Sequence, residues 1–265
     1  MSDQVDLSIR QFVGAWRTMC EGAPQYVNVE DAGVTQIFSG LPIPFFNVAL
    51  LTERGISADR LKSLADHACA FASSRTVPWL FVVTHEAVDP GVDVTGVLDA
   101  CGLAPLLPLT GMRADHVAEP PDIPAGLRLT VPRDDEACAL ILDVNSAAYG
   151  MDLAASKPLL GRSDFWHGHF PVIGVADGAP ASTAAVLMVD GIRYVALVAT
   201  APGQQRRGFA DVTMRLALQV AADVHGQRPT VLHATDAGRP VYERMGYAVI
   251  STHTAFMDKA FLGGH

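Results

Sequence analysis

Between Thr200 and Val212 the chain reads Ala201-Pro202-Gly203-Gln204-Gln205-Arg206-Arg207-Gly208-Phe209-Ala210-Asp211, and Val212, Leu216, Val220 and Val224 follow at the spacing of one helix face. A loop with glycines and two arginines therefore opens a helix. The first-turn amides of a helix lack partners within it, and the positive end of the helix dipole lies there, so such a start suits an anion such as a phosphate. Gly208 and Ala210 let an anion approach the backbone, and Arg206 and Arg207 add positive charge. His233 has an ordinary pKa close to working pH and reads either as a base or as a packed residue near a strand end. His167 and His169 have no third ligand at a suggestive spacing, so no metal site is expected.

Tyr194-Val195-Ala196-Leu197-Val198-Ala199-Thr200 has the length and apolarity of a buried strand that runs straight into the loop. Upstream, residues 127–131 read as a strand, and Pro132 to Asp135 lead into a helix through Ala137, Leu140, Ile141, Val144 and Tyr149. Residues 172–176, 182–189 and 193–200 read as antiparallel strands turned at Asp177-Gly178 and Asp190-Gly191. Downstream, Thr230 to Ala234 is a strand and Gly238 to Met245 a short helix.

The spacing Gln205-x-x-Gly208-x-Ala210 after a strand, with Pro202 shortly before it, resembles the acyl-CoA-binding motif of the GNAT superfamily of N-acyltransferases. Tyr242-Glu243-Arg244-Met245-Gly246-Tyr247 is similar to that family's Tyr-x-x-x-Gly-aromatic signature. The two motifs stand in the family's order, which makes the pair far more specific than either alone. The resemblance implies a GNAT-like α+β fold, an α/β three-layer arrangement with a mixed, mostly antiparallel sheet flanked by helices. It also implies acetyl-CoA or another acyl-CoA as co-substrate. The pantetheine arm would pair with the backbone of Val198, Ala199 and Thr200, and the pyrophosphate would rest on Gln205, Arg206, Arg207, Gly208, Phe209 and Ala210. Tyr242 would be the general acid that protonates the departing thiolate, the alternative being a core tyrosine. Thr235 falls where the family often has an asparagine near the cofactor, and Asp236 is expected to cap the next helix. The family's usual carboxylate base is replaced by Tyr194, leaving His233 or a water chain. Phe165 to Phe170 reads either as a wall of the acceptor pocket or as ordinary loop packing.

The first half repeats this pattern faintly. Asn47-Val48-Ala49-Leu50-Leu51 echoes the start of the Tyr194 strand, and Leu98-Asp99-Ala100-Cys101-Gly102-Leu103 echoes Tyr242 to Tyr247. Helices are expected over 5–19, 57–73 and 94–101, with Ser57 as a cap, and strands over 26–29, 34–38, 46–51, 79–83 and 103–112. Duplication explains the shared order, so the chain reads as two tandem halves. Residues 1–118 are a degenerate GNAT-like domain, a support or a wall of the acceptor pocket. Residues 119–126 are a proline-rich linker, and residues 127–265 the acyl-CoA-binding domain. Glu53 stands where a pyrophosphate would want no acid, and Leu98 takes the place of Tyr242.

With 265 residues, 49% of them hydrophobic, the chain can bury substantial cores. Its net charge of −9 and its three lysines argue against nucleic acid as a partner. No apolar run suggests a membrane span. Cys20, Cys69, Cys101 and Cys138 lack paired spacing and read as reduced core thiols, in keeping with a cytoplasmic location. The expected activity is N-acetyl transfer from acyl-CoA to a small-molecule amine, with a non-catalytic acyl-CoA-binding module as the alternative. Acceptor, acyl length and oligomeric state are not legible.

Overall fold

The computed structural model describes residues 2–31, 33–119 and 121–262, the side chain of Ser2 excepted. The chain divides into two compact units. One comprises the chain up to Met112, His233–Arg239 and the chain from Val249 onward, and the other comprises Arg113–Leu232 and Pro240–Ala248. Among the described residues no helix is long and apolar enough to cross a membrane.

In the amino-terminal unit, helix α1 (Ser2–Cys20) is followed by strands β1 (Val27–Asp31), β2 (Val34–Phe38) and β3 (Asn47–Leu51), joined as the expected antiparallel meander. Helix α2 (Ala58–Ala72) starts at Ser57, whose hydroxyl accepts from Arg60 N at 3.3 Å. Its residues Leu61, Leu64, Ala65, Ala68 and Ala72 recur at helical spacing and are buried against Phe38, Leu51, Trp79 and Phe81. Strand β4 (Leu80–Thr84) runs parallel to β3 and in register from Val48↔Leu80 to Leu50↔Val82. Helix α3 (Val94–Ala100) and strand β5 (Leu103–Ala114) follow.

The division departs from a single cut at a linker. The chain's last strand, β11 (Ala248–Asp258), pairs antiparallel with β4 from His253↔Thr84 to Met257↔Leu80, so most of it belongs to the amino-terminal unit. The strand order there is β1-β2-β3-β4-β11-β5. Glu86 fixes β11 by accepting from Thr252 N at 2.9 and 3.0 Å. The expected linker also falls inside a unit: Ala118 N donates to Met245 O at 2.9 Å, and the Arg215 guanidinium donates to Ala118 O.

The carboxy-terminal unit begins with β6 (Leu127–Thr130) and α4 (Asp135–Tyr149), which Asp134 caps by accepting from Ala137 N at 2.8 Å. A short helix, α5 (Lys157–Leu160), precedes β7 (Phe170–Ala176), β8 (Ala179–Val189) and β9 (Ile192–Thr200), which are antiparallel neighbours in the order β6-β7-β8-β9. Both Asp-Gly hairpins turn as their composition requires, with φ of 53° and 79° at Asp177-Gly178 and 49° and 75° at Asp190-Gly191. Helix α6 (Phe209–His225), strand β10 (Thr230–Ala234) and helix α7 (Arg239–Arg244) complete the elements. In both units the sheet is mixed and mostly antiparallel, with helices against it.

Candidate functional site

Strand β10 runs parallel to β9 and pairs with it at Thr230↔Arg193 and Val231↔Tyr194. From Val195 on, that edge of β9 has no strand beside it among the described residues. Ala201 N donates to Ala181 O, the residue after β9 still facing β8, at 2.8 Å. Strand alternation then turns the polar backbone groups of Thr200 and Val198 to the opposite, open edge. Three of the expected cofactor positions, Val198, Ala199 and Thr200, thus lie where an extended ligand could add as a strand.

The edge is shaped by a bulge. Leu197 has φ of 52°, and the β8–β9 register shifts between Thr183 and Ala185. A left-handed leucine is strained, so its surroundings must hold it there. Thr183 Oγ1 donates to Leu197 O at 2.9 Å, and Asn145 Nδ2 lies 3.3 Å from the same oxygen and 2.9 Å from Thr183 Oγ1. One turn further along α4, the Tyr149 hydroxyl donates to Val198 O at 2.7 Å. Asn145, Thr183 and Tyr149 were not singled out from the sequence for this role. The signal that could have found them is the Asn145-x-x-x-Tyr149 spacing, which sets both side chains on one helix face.

Beyond β9, the loop carries left-handed backbone at Gly203, Arg206 and Gly208, with φ of 80°, 62° and 76°. Alternation of this kind makes successive amides converge. No protein acceptor is recorded for the amides of Gln205 to Ala210 among the described residues. Gln205, Arg206, Arg207 and Gly208 are exposed, whereas the Phe209 ring is buried with Leu127, Ala176, Ala181 and Val212. Phe209 therefore anchors the start of α6, and only its backbone is available to a ligand. Arg207 lies over the Phe209 ring, 4.5 Å from its centroid, and bonds to Gln204, with Asp177 at 3.8 Å. Gly208 is required by its backbone: a Cβ there would meet only Pro124, at 3.8 Å, but φ is left-handed.

Tyr242 sits on α7, whose end explains the second motif. Tyr247 N donates to Tyr242 O and Gly246 N to Glu243 O, with Gly246 at φ of 95°, a Schellman cap in which the first and last motif residues must touch. Their rings are 6.0 Å apart, and the Tyr247 hydroxyl bonds to Thr230 Oγ1 at 2.9 Å. Burial, then the neighbouring Tyr149 and Tyr247 phenols, push the Tyr242 hydroxyl well above the ordinary phenol range, so it keeps its proton. It makes no hydrogen bond to protein among the described residues. Burial likewise raises Tyr194 and Tyr149.

The other candidates are spoken for. His233 lies in the amino-terminal unit, its Nε2 2.9 Å from Ser8 Oγ and its ring stacked on Phe12 at 4.0 Å, and burial holds its pKa far below the usual imidazole value. Thr235 follows β10 and forms the turn before α7: its carbonyl accepts from Gly238 N and Arg239 N, both at 3.0 Å, and its hydroxyl accepts from Gly238 N at 3.4 Å. In the 165–170 loop, Trp166 Nε1 donates to Leu160 O at 2.9 Å and His169 Nδ1 accepts from Met188 N at 3.3 Å.

The first-half counterpart of the loop is closed. Between β3 and α2, Arg60 Nε donates to the Glu53 carboxylate at 3.2 and 3.0 Å, and β3 stays paired with β4. The ion pair ties Glu53 to the first turn of α2 through the Arg60 side chain, while Ser57 caps the helix.

The model of the acetyltransferase (GNAT) domain matches residues 168–259. A GCN5-related N-acetyltransferase from Kribbella flavida superposes with a TM-score of 0.71 at 20% identity, covering 98% of this chain and 97% of its own. A functionally unknown conserved protein from Staphylococcus epidermidis gives 0.64 at 12% identity, covering 89% and 94%. A tandem GNAT protein from the clavulanic acid biosynthesis pathway gives 0.56 at 14%, covering 97% and 94%. At these identities the likeness establishes the fold. No match was found among curated proteins.

Proposed function

We propose that the chain is an acyl-CoA-dependent N-acyltransferase that moves an acetyl group from acetyl-CoA to the amine of a small molecule by direct attack. The observation that carries this reading is the conjunction, in one unit, of the open β9 edge at Val198 with the amides of Gln205 to Ala210 and the Tyr242 hydroxyl, which have no protein partner among the described residues. The pantetheine arm adds along Val198 to Thr200, and the pyrophosphate takes the amides at the start of α6. The neutral amine attacks the thioester carbon, the C–S bond breaks, and Tyr242 gives its proton to the thiolate. Water carries away the amine proton, since His233 is engaged elsewhere. The amino-terminal unit serves as support, and the reduced thiols fit a cytoplasmic setting.

A panel of amines with acetyl-CoA, followed by thiol release, tests this. Turnover should fall about 10²–10⁴-fold in Tyr242→Phe while coenzyme A still binds. Binding without turnover across the panel would favour a non-catalytic acyl-CoA module instead, and no binding at all removes both readings.

A further inference from the structure

The Val198 carbonyl at the open edge of β9 already has a partner within the chain. Val198 directs its carbonyl away from β8, and the Tyr149 hydroxyl donates to that oxygen at 2.7 Å. A strand added to an edge runs about 4.7–4.9 Å away, with its amide nitrogen about 2.9 Å from the carbonyl it meets. The phenol therefore already donates to the carbonyl that the first donor of an added strand would meet. Tyr149 is placed to do this because it closes α4 four residues after Asn145, on the face turned to the Leu197 bulge, and Gly150 ends the helix in the left-handed region immediately after it. Tyr149 as a whole is 52% exposed while its phenol end is buried, and among the described residues its side chain bonds to protein only through this hydroxyl.

We propose that Tyr149 is a gate on the acyl-CoA arm: its hydroxyl holds the Val198 carbonyl in the free protein and must release it for the arm to pair along β9. The inference rests on the proposed acyl-CoA reading and adds a residue to it. The bond competes with the ligand, so deleting the hydroxyl strengthens binding, whereas a merely structural tyrosine would weaken it or leave it unchanged when altered.

Titration of coenzyme A into the wild-type protein and Tyr149→Phe by calorimetry decides the matter. A net hydrogen bond is worth a factor of about 2 to 10 in an equilibrium, so the variant is expected to bind coenzyme A more tightly by about that factor. Thermal unfolding supplies the second reading. The variant should melt lower than wild type without ligand, yet show the larger rise when coenzyme A is added. Wild-type binding with unchanged or weaker binding by the variant overturns the gate and leaves the transferase standing. Failure of both proteins to bind coenzyme A overturns the two together.

Discussion

The Ser8 hydroxyl lies 2.9 Å from His233 Nε2 and 3.3 Å from His253 Nε2, joining α1 to two imidazoles inside the amino-terminal unit. Ser251 reaches the same His253 nitrogen at 2.7 Å, and Thr84 holds Nδ1 at 3.0 Å. Gly111 leaves the space for this cluster, because a Cβ there would come within 2.1 Å of Ser251 Oγ. The hydroxyl partners satisfy both imidazoles as neutral rings, and burial disfavours their charged form.

That cluster makes the fold acid-labile. Burial, then His85, lowers His253 to about 3, and burial, then His253, lowers His233. An unfolded histidine titrates near 6.5, so the unfolded chain takes up protons below that pH while the folded chain does not. Their contribution is complete above about pH 6.5 and is lost as the pH falls from there toward 3. Urea unfolding at pH 5.5 should show about 1–3 kcal/mol less stability than at pH 7.5. Equal midpoints at the two pH values would mean that these imidazoles are not held neutral.

Gly208 should be irreplaceable for ligand binding while tolerated by the fold. Its left-handed φ of 76° sets the turn that aims the loop amides, and a β-branched residue resists that conformation. Gly208→Val is expected to weaken coenzyme A binding at least about 10-fold, with roughly 1–2 kcal/mol lost in stability. Calorimetry and urea unfolding on the same preparation separate the two effects. Undiminished affinity would show that the loop does not hold the diphosphate.

Local features were the legible ones. The Asp-Gly hairpins, the Ser57 cap and the strand–loop–helix start at Gly208 each depend on a few neighbouring residues whose conformational needs can be read directly. The repeated Leu98-x-x-x-Gly102-Leu103 and Tyr242-x-x-x-Gly246-Tyr247 are also local, since both place a left-handed glycine after a short helix, with φ of 83° and 95°. What stayed hidden was long-range. Nothing around Val249 signals that β11 pairs with β4, because an alternating strand can join any sheet that covers its apolar face. The left-handed Leu197 was equally illegible: leucine does not favour that conformation, and Asn145 and Thr183, which hold its carbonyl, are far away in sequence. The choice between a packed and a catalytic His233 was likewise decided by Ser8 and Phe12, at the other end of the chain.

Each chain should bind one coenzyme A. In the amino-terminal unit β3 remains paired with β4, and Glu53 with Arg60 closes the loop before α2. The Arg60 bonds hold the Glu53 carboxyl below its ordinary range, so it stays charged and repels a second anion. Calorimetric stoichiometry should be one per chain in wild type and in Glu53→Gln alike, because removing the carboxylate leaves β3 without an open edge. A second equivalent bound by either protein would contradict the closed reading of this unit.

Thr183 tests whether the bulge, and not merely the open edge, prepares β9 for a ligand. Its hydroxyl is fully buried, donates to Leu197 O at 2.9 Å and lies 2.9 Å from Asn145 Nδ2. Thr183→Val keeps the shape but removes a donor to a strained carbonyl, which should lower stability by about 1–3 kcal/mol. With Leu197 less firmly held, the groups of Val198 lose their fixed direction at the open edge. Coenzyme A affinity should then fall by more than the factor that a stability loss alone would impose on a protein still fully folded at the assay temperature, which is none. Circular dichroism confirming a folded variant, together with an unchanged dissociation constant, would show that the bulge is dispensable for binding.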